Sequence, residues 1–277
     1  MKFKDPIKTT LPLILLALAT EMVISIGEKK DRQEYLKDVG ASVLTGGTAL
    51  APSTAMKALA TVPYMYLYEH VAPKKRKMNK FGEWLVLFVA VDLGVYVFHR
   101  SSHAVRVLWA GHQVHHSSEY LNISTAFRRK WALWFDKIIW LPLPLAGFHP
   151  AVIYFVHAFH LVYGAFAHSE KIGTLPKPVE AVLVTPSHHR VHHGTQQQYI
   201  DKNFGSILIL WDRLFGTFVP EGEQPVYGLT KQVGTFNLWE LQTYEFKNMI
   251  ADVRSAKNRR EALMYVFGRP GWRPPVA

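Results

Sequence analysis

Fourteen histidines stand in this 277-residue chain, and nine of them fall in three short stretches. These are H-R-S-S-H (His99, His103), H-Q-V-H-H (His112, His115, His116) and H-H-R-V-H-H (His188, His189, His192, His193); His168 stands apart in A-H-S-E. On a helix, residues three and four apart share a face, with Cβ atoms roughly 5–6 Å apart. His99 and His103 then point the same way. Each H-x-x-H-H triplet, 112/115/116 and 189/192/193, can converge on one locus. Neutral imidazole is a good ligand for zinc, copper, iron and nickel. Two triplets and a pair exceed what one ion uses, so the number of rings implies two metals. A single histidine is more often a hydrogen-bonded core or surface residue. His70, beside a tyrosine cluster, and His149, in G-F-H-P, read that way, and His157 and His160 in an apolar stretch stay open. His188 lies outside the H-x-x-H-H register and reads as support behind the ligands.

The elements that must position these rings are membrane helices. Hydrophobic residues make up 49% of the chain and charged residues only 19%, below the quarter usual for soluble domains. Zero cysteines exclude disulfides, thiolate metal sites and a cysteine nucleophile. The net charge of +11 suits nucleic acid or an anionic membrane surface; long apolar runs favour the membrane, and no nucleic-acid partner is expected. Residues 11–26 follow a basic start (Lys2, Lys4, Lys8) without a small-residue cleavage site and read as a retained span or interfacial helix. Glu21 weakens that run as an isolated span, because a carboxylate at depth costs about 2.5–3.5 kcal/mol. Residues 41–72 and 81–98 are further apolar runs, and 131–167 holds two more, hinged at Gly147–Pro150. The last two are near or below the ~20 residues of a full crossing, so a re-entrant hairpin and two crossings both remain open. From 168 onward the chain reads as water-facing. Phe246, Met249, Ile250 and Val253 there mark the apolar face of a surface helix.

The expected fold is all-α: a polytopic membrane helical bundle of about four spans or span-like hairpins. A cytoplasm-facing helical cap would carry the histidine-rich di-metal site. Residues 1–80 form the N-terminal membrane helices and basic loop, 81–228 the histidine-box domain, and 229–277 a cytoplasmic tail. Basic residues lie at both ends of the third run, Lys74–Lys80 before it and Arg100, Arg106 and Arg128–Lys130 after it. The positive-inside rule therefore does not decide orientation alone; a cytoplasmic histidine face is favoured because the basic C-terminal half goes with it, in a bacterial inner or ER-type membrane.

The motifs resemble the fatty acid hydroxylase/sterol desaturase superfamily of integral-membrane di-iron enzymes, from about residue 83 to 228. They comprise the D-x6-H-R-x-x-H run from Asp92 to His103, L-W-A-G-H-Q-V-H-H-S-S-E-Y-L-N (108–122), T-A-F-R-R (125–129), T-P-S-H-H-R-V-H-H-G (185–194), Y-I-D-K-N-F-G (199–205) and W-D-R-L-F-G-T-F (211–218). The H-H-S-S-E wording and terminal G-R-P-G-W-R-P (268–274) look most like the alkylglycerol monooxygenase branch and its bacterial relatives. That branch often has Glu after the second histidine of the first box; here it is Ala104, which speaks against carrying over its pterin-dependent ether cleavage. The resemblance implies His99, His103, His112, His115, His116, His168, His189, His192 and His193 as metal ligands. Where similar desaturases often carry a ligand one turn before the lone histidine, this chain has Gly164, so water would complete that coordination sphere.

Nine neutral ligands leave two divalent ions with uncompensated charge, so carboxylates are expected behind them. Asp92, seven residues before His99, is the first candidate and Glu119 the next; both stand as catalytic candidates, followed by Asp201 and Asp212. Asp201 and Asp212 read equally well as a helix cap or surface ion pair.

The resemblance implies two iron ions, with zinc possible in the isolated protein, and O₂ as co-substrate. It implies hydroxylation of an unactivated C–H bond in a fatty acyl, sterol or alkylglycerol lipid. No flavin or nicotinamide phosphate loop and no fused cytochrome is visible, so a separate cytochrome, ferredoxin or pterin-type donor is expected. Trp131, Trp134, Phe135 and Trp140 are candidates to line lipid access, with ordinary lipid-facing aromatics as the plainer reading. A desaturase with the same site is the near alternative. A zinc hydrolase would want H-E-x-x-H, which no box has, and a metal transporter or store would spread its ligands through the membrane.

Overall fold

The computed structural model describes residues 5–131 and 135–275. Helix α1 (Pro6–Glu28) opens with Asp5 accepting from the Ile7 amide and Pro6 in the first turn, where its missing N–H costs nothing. Three residues later Asp31 caps α2 (Arg32–Tyr66), accepting from the Glu34 amide. After a wider helical turn at Leu67–Val71 come α3 (Phe81–Ala104) and α4 (Arg106–His116), separated by Val105 alone. A 3₁₀ turn (Ile123–Phe127) and short helices α5 (Phe135–Ile138) and α6 (Pro142–Leu145) lead to α7 (Pro150–Ala167). Next come α8 (Lys177–Val182), α9 (Pro186–His192), α10 (Leu210–Leu214), α11 (Leu238–Ser255) and α12 (Arg259–Phe267). No strand occurs among the described residues; pairing is limited to isolated bridges at Leu183–Leu208 and Gly194–Tyr227. The all-helical expectation holds.

Among the described residues, three helices are long and apolar enough to cross a membrane: α1, α3 and α7. The expected fourth span-like stretch is different. Residues 135–149 fold into the short α5 and α6, which a turn separates and the second of which is opened by Pro142. They pack inward: Trp140 lies over Gly94, where a Cβ would come within 2.9 Å of the indole. Gly147 sits at φ +85, and a side chain there would collide with the Lys74 carbonyl. That contact ties the basic loop to the bundle through the Arg76 amide on the Gly147 carbonyl, 2.9 Å. The core between α3, α6 and α7 holds Leu87, Val91, Trp140, Phe148, Ile153 and Val156.

Glu21 is buried and satisfied, accepting from the Ile123 amide (2.7 Å) and Ser169 Oγ (2.6 Å). The carboxylate thus pins α1 to the 3₁₀ turn and to the end of α7, which offsets the cost of placing it in an apolar run. Arg128 does the same for α2, reaching Asp38 at 2.6 Å with both residues almost fully enclosed. The helices α3, α4, α7 and α9 all finish at one end of the bundle, where the histidines lie.

The C-terminal region packs on α4. Arg106 bridges Glu245 (2.8 Å) and Asp252 (2.7 Å), and Gln113 Nε2 donates to the Leu241 carbonyl. These contacts set the rotation of α11, so its enclosed side is Leu241, Gln242 and Met249. Of the four residues expected to form its apolar face, only Met249 is buried, and Ile250 points outward.

Candidate metal centre

The spacing within each histidine box becomes geometry at the helix ends. His99 and His103 lie in the last turns of α3, and His112, His115 and His116 on α4, which doubles back at Val105. His168 caps the end of α7. Thr185 and Pro186 start α9, whose last turn supplies His189 and His192 and whose cap is His193. The rings gather into two groups: His99, His103, His112, His116 and His192; and His115, His168, His189 and His193. Neither H-x-x-H-H triplet converges on one locus as expected: the i, i+4 pairs 112/116 and 189/193 stay together, while His115 and His192 cross to the opposite group. Within each group the potential ligand nitrogens lie within 4.8 Å of one another. The groups share a wall, where the His116 and His193 rings stack at 4.4 Å.

The proton inventory explains what such a cage suits. Backbone carbonyls accept and never donate, so three contacts fix tautomers. His99 Nδ1 donates to Phe204 (2.9 Å), His192 Nδ1 to Lys202 (2.9 Å) and His168 Nδ1 to Gly164 (2.6 Å). A neutral imidazole has one N–H, so the Nε2 atoms of these rings present lone pairs. They face other Nε2 atoms: His99 to His112 at 3.1 Å, His192 to His116 at 3.2 Å, His168 to His115 at 3.1 Å and to His189 at 2.8 Å. His103 Nε2 is buried with no hydrogen-bond partner. Protonation does not relieve the crowding. Burial first, and then the neighbouring imidazoles, push His112, His116, His189, His192 and His193 well below the ordinary histidine range. His115 follows the same pattern, and burial brings His168 to about 4. Inward lone pairs held by outward N–H anchors are the donor set that a metal cation fits.

The other histidines lie elsewhere. His188 Nε2 is 2.8 Å from Glu180, outside both groups. His160 gives its Nδ1 proton to the Val156 carbonyl and its Nε2 lies 3.1 Å from Asp92, His157 lies against Trp140, His149 caps α7, and His70 is exposed beside Tyr66.

The carboxylates sort differently from expectation. Asp92 is fully buried, but it accepts from the Ile207 and Leu208 amides (3.0 and 3.3 Å) and the Trp211 indole (2.8 Å). These three donors occupy its oxygens, so it holds the 207–211 segment rather than a cage imidazole. Glu119 is exposed and shares a small recess with Glu34 and Asp38. Asp201 Oδ1 lies 3.4 Å from His103 Nδ1, and among the described residues it is the carboxylate that meets a ring of the cage. Asp212 acts one step back. It takes the amides of Phe204 and Gly205 (2.8 and 2.7 Å), which aims the Phe204 carbonyl at His99. Sequence reasoning ranked these two last and missed Glu180; Y-I-D-K-N-F-G and W-D-R-L-F-G-T-F carried the signal.

A cavity of about 690 Å³ reaches His103, His116, His192 and His193. Its walls come from α4, the 194–201 loop, residues 228–231, α11 and residues 269–273. The candidate access aromatics do not line it: Trp140 is in the core and Trp131 packs on Trp239. Trp134 lies outside the described residues, as does the side chain of Phe135.

The fatty acid hydroxylase family model matches residues 84–217. That stretch, a little under half of the chain, is thus similar to the fatty acid hydroxylase family, and it contains all nine rings of the cage. The chain is 38% identical over 240 residues to an alkylglycerol monooxygenase of Danio rerio, covering 86% of this chain and 53% of the relative. It is 36% identical over 271 residues to the Homo sapiens alkylglycerol monooxygenase, covering 98% and 60%. An ornithine lipid hydroxylase of Rhizobium tropici, OlsE, is 28% identical over 246 residues, covering 85% and 70%. The chain thus spans little more than half the length of the alkylglycerol monooxygenases it matches. No solved structure matches it. Much of the cavity wall, residues 228–273, lies beyond the matched stretch.

Proposed function

We propose that this integral-membrane protein is a di-iron oxygenase that uses O₂ and external electrons to hydroxylate an unactivated C–H bond of a lipid. The observation that carries the reading is the cage: nine imidazoles in groups of five and four, three of them turned lone pair inward by N–H groups anchored on backbone carbonyls. The nine rings His99, His103, His112, His116 and His192, and His115, His168, His189 and His193, are the ligands of two metal ions. Zinc competes for such a site because iron ranks below it in affinity for nitrogen ligands. When bound, iron supplies the reductive activation of O₂ and the oxidising power that a C–H bond requires. The protein supplies the rest.

The Phe204, Lys202 and Gly164 carbonyls hold three rings in one tautomer and orientation. Asp201 faces the Nδ1 of His103 and favours a proton there. Enclosure keeps the rings neutral, so the ligand set stays intact at physiological pH. The cavity beside His103 and His193 gives water-side reactants, including a separate cytochrome, ferredoxin or pterin-type donor, a path to both groups. The lipid, of fatty acyl, sterol or alkylglycerol type, comes from the bilayer, and the histidine face lies on the cytoplasmic side. The names of the relatives, an alkylglycerol monooxygenase and an ornithine lipid hydroxylase, support a lipid substrate and hydroxylation.

Lipid mass spectrometry of cells with and without the gene tests the reading. A lipid gaining one oxygen, dependent on the gene and on O₂, is the expected result. Loss of two hydrogens would instead assign a desaturase, and an unchanged lipid profile overturns both.

A further inference from the structure

Residues 204–218 read as water-facing in the sequence, yet they are fastened to the middle of a membrane span. Asp92 on α3 holds the Ile207 and Leu208 amides and the Trp211 indole. One turn nearer the cage, the Tyr96 ring stacks on Phe215 with centroids 5.5 Å apart, and its hydroxyl meets Thr217 Oγ1 at 3.0 Å. Asp92 lies eight residues before the exposed Arg100, which at 1.5 Å per residue sets it about 12 Å deeper along the helix. If Arg100 marks the polar boundary of the span, α10 sits well below it.

The outward face of this segment is apolar. Leu210 is 44% exposed, Leu214 69% and Phe215 47%. Val182, also exposed, is joined to them through the Ile209 amide on its carbonyl, 3.0 Å. On α3, Leu85, Val86 and Val97 face outward in the same way. Of the two charges on α10, Asp212 is fully buried, whereas Arg213 is exposed, with its guanidinium 3.9 Å over the Phe218 ring and donating to the Glu180 carbonyl. Five of the six backbone donors in residues 204–209 are satisfied without water. Phe204 and Gly205 donate to Asp212, Ile207 and Leu208 to Asp92, and Ile209 to Val182. Irregular backbone at membrane depth is tolerated only under that condition.

We propose that α10 and its flanking residues form a re-entrant element sunk in the hydrocarbon layer, with Leu210, Leu214 and Phe215 against lipid acyl chains. The element enters and leaves on the histidine side. This inference concerns the membrane boundary and stands whether or not the cage is an oxygenase centre.

The absence of cysteine makes the full-length protein a ready background for spin labelling. Leu214→Cys and Leu210→Cys would each be labelled with a nitroxide in phosphatidylcholine vesicles. Val86→Cys, on the outward face of α3, serves as the lipid reference and Lys231→Cys, at the mouth of the cavity, as the water reference. The ratio of collisions with oxygen to collisions with a water-soluble nickel chelate is read for each. Both test positions are expected to give a ratio several-fold above that of Lys231→Cys and close to that of Val86→Cys. A ratio matching Lys231→Cys overturns the proposal, and so does exclusion of both reagents, which would mean that protein covers this face. Unchanged metal content relative to the parent protein certifies the fold of each variant.

Discussion

His168 Nε2 lies 2.8 Å from His189 Nε2, and the one ring proton of His168 is already given to the Gly164 carbonyl. His168 Nε2 is therefore held unprotonated against its neighbour by the surrounding fold. That arrangement costs stability when acid is added without metal. In the unfolded chain a histidine takes its proton near 6.5, whereas His168 in the fold resists until about 4. Between those values the unfolded state binds more protons, so stability falls as pH falls through that window. His168 alone accounts for about 3 kcal/mol of this. Chelator-stripped protein in detergent should lose Tm steadily from pH 7 to pH 5; a flat profile would show that the rings are not enclosed as described.

Each ring group should hold its own metal. His192→Ala removes a member of the five-ring group, and His189→Ala a member of the four-ring group. Elemental analysis should find two metals in the parent and about one in each variant, with turnover lost in both. His70, exposed beside Tyr66, should be replaceable by Ala with metal and turnover intact. Equal damage from His70→Ala would refute the sorting of the histidines.

Asp92→Asn keeps the shape of the side chain but turns one acceptor into a donor facing donors. Three N–H groups now end on this carboxylate. Leaving buried donors unpaired costs about 1–3 kcal/mol each. The variant should insert into the membrane, melt at lower temperature and lose activity. Unchanged melting and turnover would make the pairing with 207–211 dispensable.

Asp38 and Arg128 are nearly fully enclosed, and Ser42 and Ser117 complete the guanidinium's shell. Asp38→Ala strands a buried cation and should destabilise by about 3–5 kcal/mol. Adding Arg128→Leu to it should recover part of that loss, because the second change removes the stranded charge. A denaturation series on the two variants measures the difference; a double variant no better than the single would argue against the pair.

Ala251 faces the cavity that reaches the cage. Ala251→Trp should narrow that passage and lower kcat/KM several-fold while leaving the metal content at the parental level. Full turnover with the passage filled would mean that reactants arrive by another path.

The cage was the most legible part of the molecule. Histidines four apart share a group, as the spacing implies for 99/103, 112/116 and 189/193, but the crossing of His115 and His192 to the opposite group was not legible, because it depends on how α4 and α9 face each other. Asp31 before α2 and Pro186 opening α9 are legible in the same local way, although neither was read as a helix start from the sequence. The depth of residues 204–218 was not legible. S-I-L-I-L is too short to read as a span, and only its tie to Asp92 on a distant helix places it. The rotation of α11 was equally hidden, since ion pairs with Arg106, more than 130 positions away in sequence, outweigh its local apolar pattern. Asp92 was singled out correctly as a carboxylate that needs partners, but those partners are backbone amides that no residue pattern advertises.

Four helices terminate around the cage: α3 beyond His103, α4 at His116, α7 at His168 and α9 at His193. A helix C-terminus carries roughly half a negative charge, from aligned peptide dipoles and unspent carbonyls. Gly164, whose carbonyl anchors His168, is one of those unspent groups. The fold thereby surrounds a neutral set of nitrogens with a ring of fixed negative potential. Two dications can settle there with few anionic side chains, and the backbone itself serves as the counterion.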